Sequence, residues 1–150
     1  MDTTPLSILL EQKGNKVVSV TPETSIQACV ETMRNAHIGA VVVLDEEQLV
    51  GIFTERDVLN KVAGRGYDLN HTAVSDVMTA NVKSVPPEMT VSQAMALITN
   101  LRFRHLPVTV QGKLVGLLSS GDLTRWMVSG QEHEIEELMK YINQTQHPNY

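Results

Sequence analysis

The same pattern of apolar and polar positions occurs twice in this chain, and the two copies lie 65 residues apart. Residues 17–23 align with residues 82–88, and residues 49–57 align with residues 114–122, without a gap. A repeat of this size is too short to bury a core alone and stacks on a neighbour to do so. The pattern therefore predicts two copies that pack as a pseudo-twofold pair.

Each copy predicts the order strand, helix, strand, strand, helix. A β-branched run closed by proline opens the copy, an amphipathic stretch follows, and two apolar runs then flank a polar turn. Apolar runs without alternation are typical of strands that are covered on both faces. The expected strands are residues 17–20, 40–44 and 49–53 in the first copy and 82–85, 106–110 and 114–118 in the second, and the closing helices are residues 55–63 and 121–128.

Two further helices are expected outside the repeats. Thr4 and Pro5 predict a helix start, with Pro5 as the first helical residue, and Gly14 is the expected end. A last helix is expected over about residues 132–143, where apolar residues share one face. Periodicity alone leaves open whether this stripe packs on the protein's own core or forms a dimer. The stripe consists of Ile135, Leu138, Met139 and Ile142.

These elements predict an α/β (α+β) fold in which a single module spans residues 1–150. It contains two βαββα repeats related by pseudo-twofold symmetry, over about residues 7–63 and 74–128, with outer N- and C-terminal helices. Residues 64–71 are polar and include two glycines. This segment is therefore the expected linker between the repeats.

The composition is that of an ordinary globular protein, with 42% hydrophobic and 19% charged residues. A net charge of -5 gives no general attraction to nucleic acid or anionic membranes. No apolar run approaches the roughly 20 residues that span a bilayer, and the N-terminus lacks a signal-peptide pattern. Cys29 is the single cysteine and fits a reducing compartment. We therefore expect a cytoplasmic protein that binds neither nucleic acid nor membranes.

Both copies place a hydroxyl, and three residues later a carboxylate, at a strand-to-helix junction: Thr54 with Asp57, and Ser119 with Asp122. Seen once, this pattern would indicate a capping box. Its recurrence, each time with a glycine three residues before the hydroxyl, favours a ligand site, because a small residue lets a ligand approach the backbone. A hydroxyl at a helix N-terminus suits a phosphate. Because a carboxylate can accept both hydroxyls of a ribose, the pattern predicts a site for a phosphorylated ribose.

These motifs resemble those of the cystathionine-β-synthase (CBS) domain family, whose pattern is Gly, two apolar residues, Thr or Ser, two variable residues and Asp. The resemblance covers both repeats, and the segments 38–43, 104–108 and 74–79 resemble the family as well. It implies a tandem CBS pair, or Bateman module, with sites in clefts between the repeats. Family members bind adenosine derivatives, so the implied ligand is AMP foremost, or ADP, ATP, NAD or S-adenosylmethionine.

The resemblance also implies roles for single residues. Asp57 and Asp122 would accept the ribose hydroxyls, and Thr54 and Ser119 would donate to phosphate. The adenine would lie among apolar residues of the first strands and hairpins. The candidates are Val20, Thr21, Val41 and Val42 in one copy, and Val85, Pro86, Leu106 and Pro107 in the other.

Basic residues distinguish the two copies. Arg104 and His105 stand where the first copy has Gly39 and Ala40, and both can donate to phosphate. The less favoured alternative for Arg104 is a solvated surface charge, whereas Arg56 is equally a phosphate ligand or part of a surface salt bridge. The second site is therefore expected to bind more tightly than the first.

We find no sequence signal for catalysis. The five histidines show no metal-ligand spacing, and no Gly-x-Ser-x-Gly turn occurs. The expected function is that of a sensor that passes adenine-nucleotide occupancy to an unidentified partner protein, and not that of an enzyme. The chain is also expected to form a homodimer, with the last helix and the residues Leu6, Leu9 and Leu10 as its contact surfaces. The alternative is a structural interaction module with vestigial nucleotide pockets.

Overall fold

The computed structural model describes residues 1–14 and 16–145, with the backbone alone at residues 131–134 and 144–145. The first repeat and the helix before it comprise α1 (Leu6–Lys13), β1 (Ser19–Val20), α2 (Ile26–Ala36), β2 (Ala40–Asp45), β3 (Gln48–Thr54) and α3 (Glu55–Asp57), which continues as a π-helix over Val58–Val62. A 3₁₀ turn (Val74–Asp76) leads into the second repeat, which comprises α4 (Val91–Leu101), β4 (His105–Val110), β5 (Lys113–Ser119) and α5 (Ser120–Thr145).

The strands of the described chain form one five-stranded sheet in the order β1-β2-β3-β5-β4. Strand β1 runs parallel to β2, and the other neighbours are antiparallel. The two hairpins meet where Gln48 pairs with Lys113. The expected α/β fold with two similar units is therefore confirmed.

The two hairpins are equivalent in backbone detail. Each turns through two residues with positive φ, Glu46 and Glu47 (48° and 72°) or Gln111 and Gly112 (52° and 80°). Positive φ at both central positions matches the right-handed twist of the flanking strands. The register repeats as well: Ala40 pairs with Thr54 and His105 with Ser119, and both ladders shift one residue after Val43 and after Val108.

Helix α1 packs on the second repeat, far along the chain from its own position. Its Leu6, Leu9 and Leu10 are 0%, 4% and 6% exposed and belong to the core of that repeat. The Leu6 backbone N–H donates to Met89 O at 2.8 Å. The expectation that this stripe supplies a dimer surface was therefore wrong, because the sheet of the second repeat already covers it.

Helix α5 corrects a second expectation. The sequence predicted two helices, over residues 121–128 and 132–143, but one helix runs unbroken over Ser120–Thr145. Gly130 lies inside this helix and is not among the residues with positive φ, and an interior glycine costs a helix only about 1 kcal/mol. The stripe does not pack on the core: Leu138 is 60% exposed and Met139 is 58% exposed.

Three smaller differences concern the ends of elements. The opening strand of the second copy, expected at residues 82–85, reduces to one parallel bridge between Val85 and Val108. The closing helix expected at residues 55–63 is largely π-helical. Helix α1 begins at Leu6, with Pro5 as its cap position, because a proline already extended at ψ 150° lies outside the helix.

Candidate functional site

Each hydroxyl-carboxylate motif is contacted by the segment that enters the opposite repeat. Thr79, which lies in the segment before α4, pairs with Ile52 of β3 and donates its hydroxyl to Asp57 Oδ1 at 3.2 Å. Lys13, the last residue of α1, donates its ammonium to Leu117 O and to Asp122 Oδ2, both at 2.7 Å. The two carboxylates therefore lie at the seam between the repeats.

Both motifs close as capping boxes. Thr54 N–H donates to Asp57 Oδ2 at 3.0 Å, and Asp57 N–H donates to Thr54 Oγ1 at 3.2 Å. In the second repeat the distances are 2.8 Å from Ser119 N to Asp122 Oδ2 and 3.1 Å from Asp122 N to Ser119 Oγ. Capping satisfies the first-turn N–H groups and leaves further lone pairs of each carboxylate for other donors.

In the first motif these lone pairs are used within the chain. Lys61 Nζ lies 3.2 Å from Asp57 Oδ1 and also donates to Thr79 Oγ1 at 3.1 Å. Asp57 is only 7% exposed. The first carboxylate is thus enclosed by a lysine of its own helix and by a neutral hydroxyl from the opposite repeat.

In the second motif two cations hold the carboxylate. Arg125 Nη2 donates to Asp122 Oδ1 at 2.6 Å, while Lys13 binds the other oxygen. Burial raises the pKa of Asp122, but the hydrogen bonds from Lys13 and Ser119 outweigh it, and the pKa lies below its usual value of 3.8. Asp122 is therefore ionised at neutral pH.

A cavity of about 360 Å³ opens beside this second motif. Residues of both repeats line it, so a molecule bound there would contact the two repeats together. The second repeat contributes Ser119, Asp122 and His105 from the predicted set, with Leu117 and Arg125; the first contributes Val17, Val18, His37, Ile38, Gly39 and Ala40, and the segment before it contributes Lys13, Gly14 and Lys16.

His105 also lines this cavity. Burial lowers its pKa below 6.5, and the positive charge of Lys13 lowers it further, against smaller opposite effects of Asp122 and Glu55. An approaching phosphate would favour the protonated ring by adding negative charge.

The other predicted site residues do not line this cavity in the described part of the chain. Val41 and Val42 are fully buried in the core, as is Leu106 at 1% exposure. Their part in binding adenine stays a prediction, as do those of the remaining candidates. Val85 and Pro107 are buried, Val20 and Thr54 are half-buried, and Arg56, Arg104, Thr21 and Pro86 are exposed.

Sequence reasoning missed the cations of α1 and α5. Arg125 lies three residues after Asp122 on one helix, a spacing that places side chains on the same face. That spacing could have identified it. Lys13 offered no local signal, because its contact depends on which repeat α1 covers.

The motif glycines have a different role from the one expected. A Cβ at Gly116 would overlap Leu10 of α1, and a Cβ at Gly51 would overlap Met78. The space beside each glycine is therefore filled by a side chain from the entering segment of the other repeat. The glycines are needed for this packing, and the approach of a ligand is not required to explain them.

Comparison with known proteins agrees with this architecture. The CBS domain family matches residues 14–64 and 74–129. The mitochondrial CBS domain-containing protein CBSX3 of Arabidopsis thaliana is 33% identical over 94% of this chain and 73% of its own length. The CBS-domain protein ATU1752 of Agrobacterium tumefaciens is 42% identical with a TM-score of 0.76, over 83% of this chain and 99% of that structure.

A more distant structure, CBSX2 in complex with AMP, is 24% identical and has a TM-score of 0.69 over 77% of this chain and 91% of that one. This likeness concerns the fold.

Within the described residues, no helix has the length and apolar character needed to cross a bilayer.

Proposed function

The chain belongs to the CBS-domain family, and from that premise we propose that it is a regulatory module that senses an adenine nucleotide at the seam between its repeats. The cavity beside Asp122 carries this proposal. It combines a helix N-terminus, the Ser119 hydroxyl and an ionised carboxylate of one repeat with the apolar Val17, Val18 and Ile38 of the other. A phosphate, a ribose diol and an adenine ring need these three kinds of partner.

AMP is the first candidate ligand, followed by ADP, ATP, NAD and S-adenosylmethionine. CBSX2, which has a similar fold, has a structure in complex with AMP, and this supports an adenine nucleotide as the ligand. Occupancy acts by linkage: a ligand that touches both repeats stabilises the arrangement that it binds best, by no more than its difference in affinity. The regulated protein would read that arrangement, and no catalytic step is needed.

The two motifs are expected to differ in affinity. Asp122 is reached from a cavity, whereas Asp57 is 7% exposed and enclosed by Lys61, Thr79 and its own cap. The tighter site is therefore the second. A vestigial pocket is the rival proposal, favoured by the observation that both carboxylates already have partners within the chain.

Thermal unfolding with each of the five ligands separates these two proposals. A nucleotide at 100 times its Kd adds about 2.7 kcal/mol to the free energy of unfolding.

We expect Asp122→Asn to remove the tight phase of AMP binding in calorimetry and the matched Asp57→Asn to leave most of it. Adenosine lacks the phosphate and 2′-deoxy-AMP lacks one ribose hydroxyl, so each should bind more weakly than AMP. An unchanged unfolding temperature with all five ligands would favour the structural module.

A further inference from the structure

The carboxylate that the proposed function assigns to ribose is held by a lysine from outside its own repeat. Lys13 Nζ lies 2.7 Å from Asp122 Oδ2 and donates to Leu117 O at the same distance. A ribose that uses both oxygens of Asp122 must take the place of this ammonium on Oδ2 and of the Arg125 guanidinium on Oδ1. The lysine therefore competes with the sugar for one acceptor.

The first repeat shows what is particular about Lys13. The entering segment there contributes Thr79, a neutral hydroxyl, to Asp57. In the second repeat the corresponding segment contributes a full positive charge. Displacing a hydroxyl leaves no charge behind, whereas displacing Lys13, whose side chain is 39% exposed, leaves an ammonium beside the cavity without its counter-ion.

The charges around the cavity determine which ligand can offset this loss. Of the described residues that line it, Lys13, Lys16 and Arg125 carry positive charges and Asp122 carries a negative one. Once ribose occupies Asp122, these cations need another anion. A phosphate bound at the Ser119 hydroxyl would supply this anion. It would lie within reach of Lys13, because Ser119 N–H and the Lys13 ammonium both donate to Asp122 Oδ2. Adenosine, which carries no anionic group, supplies nothing in exchange.

We propose that Lys13 is a specificity residue of the second site, which moves from Asp122 to the ligand's phosphate and so favours phosphorylated adenosine compounds over adenosine. This inference rests on the proposed function and narrows its ligand class. It also ties the C-terminal end of α1 to occupancy, because the moving ammonium belongs to that helix.

The test compares AMP and adenosine on one variant by calorimetry. Lys13→Gln should lower AMP affinity about tenfold, the loss of one charge-assisted hydrogen bond. The same substitution should raise adenosine affinity about 2- to 5-fold, because an exposed ion pair no longer competes. Opposite changes for the two ligands are the expected signature.

Two further variants separate competition from a general loss of charge or of folding. Lys16→Gln removes a cation that lines the same cavity without a bond to Asp122, so AMP should weaken while adenosine gains nothing. Lys13→Arg keeps the charge and should restore the preference for AMP. Circular dichroism at the calorimetry temperature checks that each variant is folded.

If Lys13→Gln changes the two affinities in the same direction, or changes neither, the specificity role is wrong while the nucleotide site stands. If adenosine gains equally from Lys16→Gln, the effect is one of net charge and the proposal also fails. If the wild-type protein binds none of the five candidate ligands, the proposed function itself is refuted, and this inference with it.

Discussion

Replacing Gly116 with alanine should destabilise the protein, because the new methyl group would enter space that Leu10 occupies. A Cβ at position 116 would lie 2.9 Å from Leu10 Cδ1 and 3.1 Å from its Cγ, and would overlap Cδ2. Leu10 is 6% exposed within the core of the second repeat, so it cannot turn into solvent. Overpacking of this kind costs about 1–3 kcal/mol. For a chain of this length, that corresponds to a fall in Tm of roughly 2–12 °C.

Two matched substitutions make the test specific. Gly51→Ala adds the same methyl group at the equivalent position, but it meets the unbranched and half-buried Met78, which adapts more readily. Gly130→Ala adds it in helix α5, where no described atom beyond the adjacent residues and the helix's own backbone lies within 4 Å, and should stabilise by up to about 1 kcal/mol. Urea unfolding should therefore rank the stabilities Gly130→Ala, wild type, Gly51→Ala and Gly116→Ala, in falling order. An unchanged Gly116→Ala, or a larger loss for Gly51→Ala, would refute the packing argument.

Three other outcomes follow from the structure. Burial raises the pKa of the Cys29 thiol to about 11, so iodoacetamide at pH 8 should label it in urea and leave the native protein almost unmodified; rapid native labelling would contradict its placement. Burial and Lys13 lower the pKa of His105 below 6.5, so the unfolded chain binds this proton first and stability should fall as pH drops through 6.5. His105→Gln should reduce that fall, and an equal fall in the variant would assign it to another group. We expect the protein to dimerise through the exposed stripe of α5, so light scattering should give a dimer mass at micromolar concentration and a monomer mass for Leu138→Glu. A monomer mass for the wild-type protein would contradict the dimer.

The hairpins were predictable from the sequence, because their signals are local. Apolar runs of five residues on each side of a polar turn predict paired strands whatever the rest of the chain does. The 65-residue offset also holds for details that were not predicted: Glu46 and Gln111 turn alike, and the ladders shift after Val43 and Val108. The chemistry of the motifs was equally local: a hydroxyl and a carboxylate three residues apart meet wherever a helix begins between them.

The contacts that complete the candidate site were not predictable, because they depend on how the repeats exchange their entering segments. The stripe on α1 was visible in the sequence, but amphipathic periodicity does not say which surface it covers. Once α1 packs on the second repeat, three features follow together. Leu10 fills the space at Gly116, the stripe is lost as a dimer surface, and Lys13 reaches Asp122.

The continuity of α5 matters most for how occupancy could reach a partner. Arg125 binds Asp122 in the first turns of this helix, and the exposed Leu138 lies on the same unbroken helix 13 residues later. At 1.5 Å per residue, about 20 Å of helix separates the two. Two separate helices would have let the far segment move independently of the site. Because a single helix carries both, a ligand that takes Asp122 from Arg125 would act directly on the helix that presents the apolar stripe, with no further element between the site and that surface.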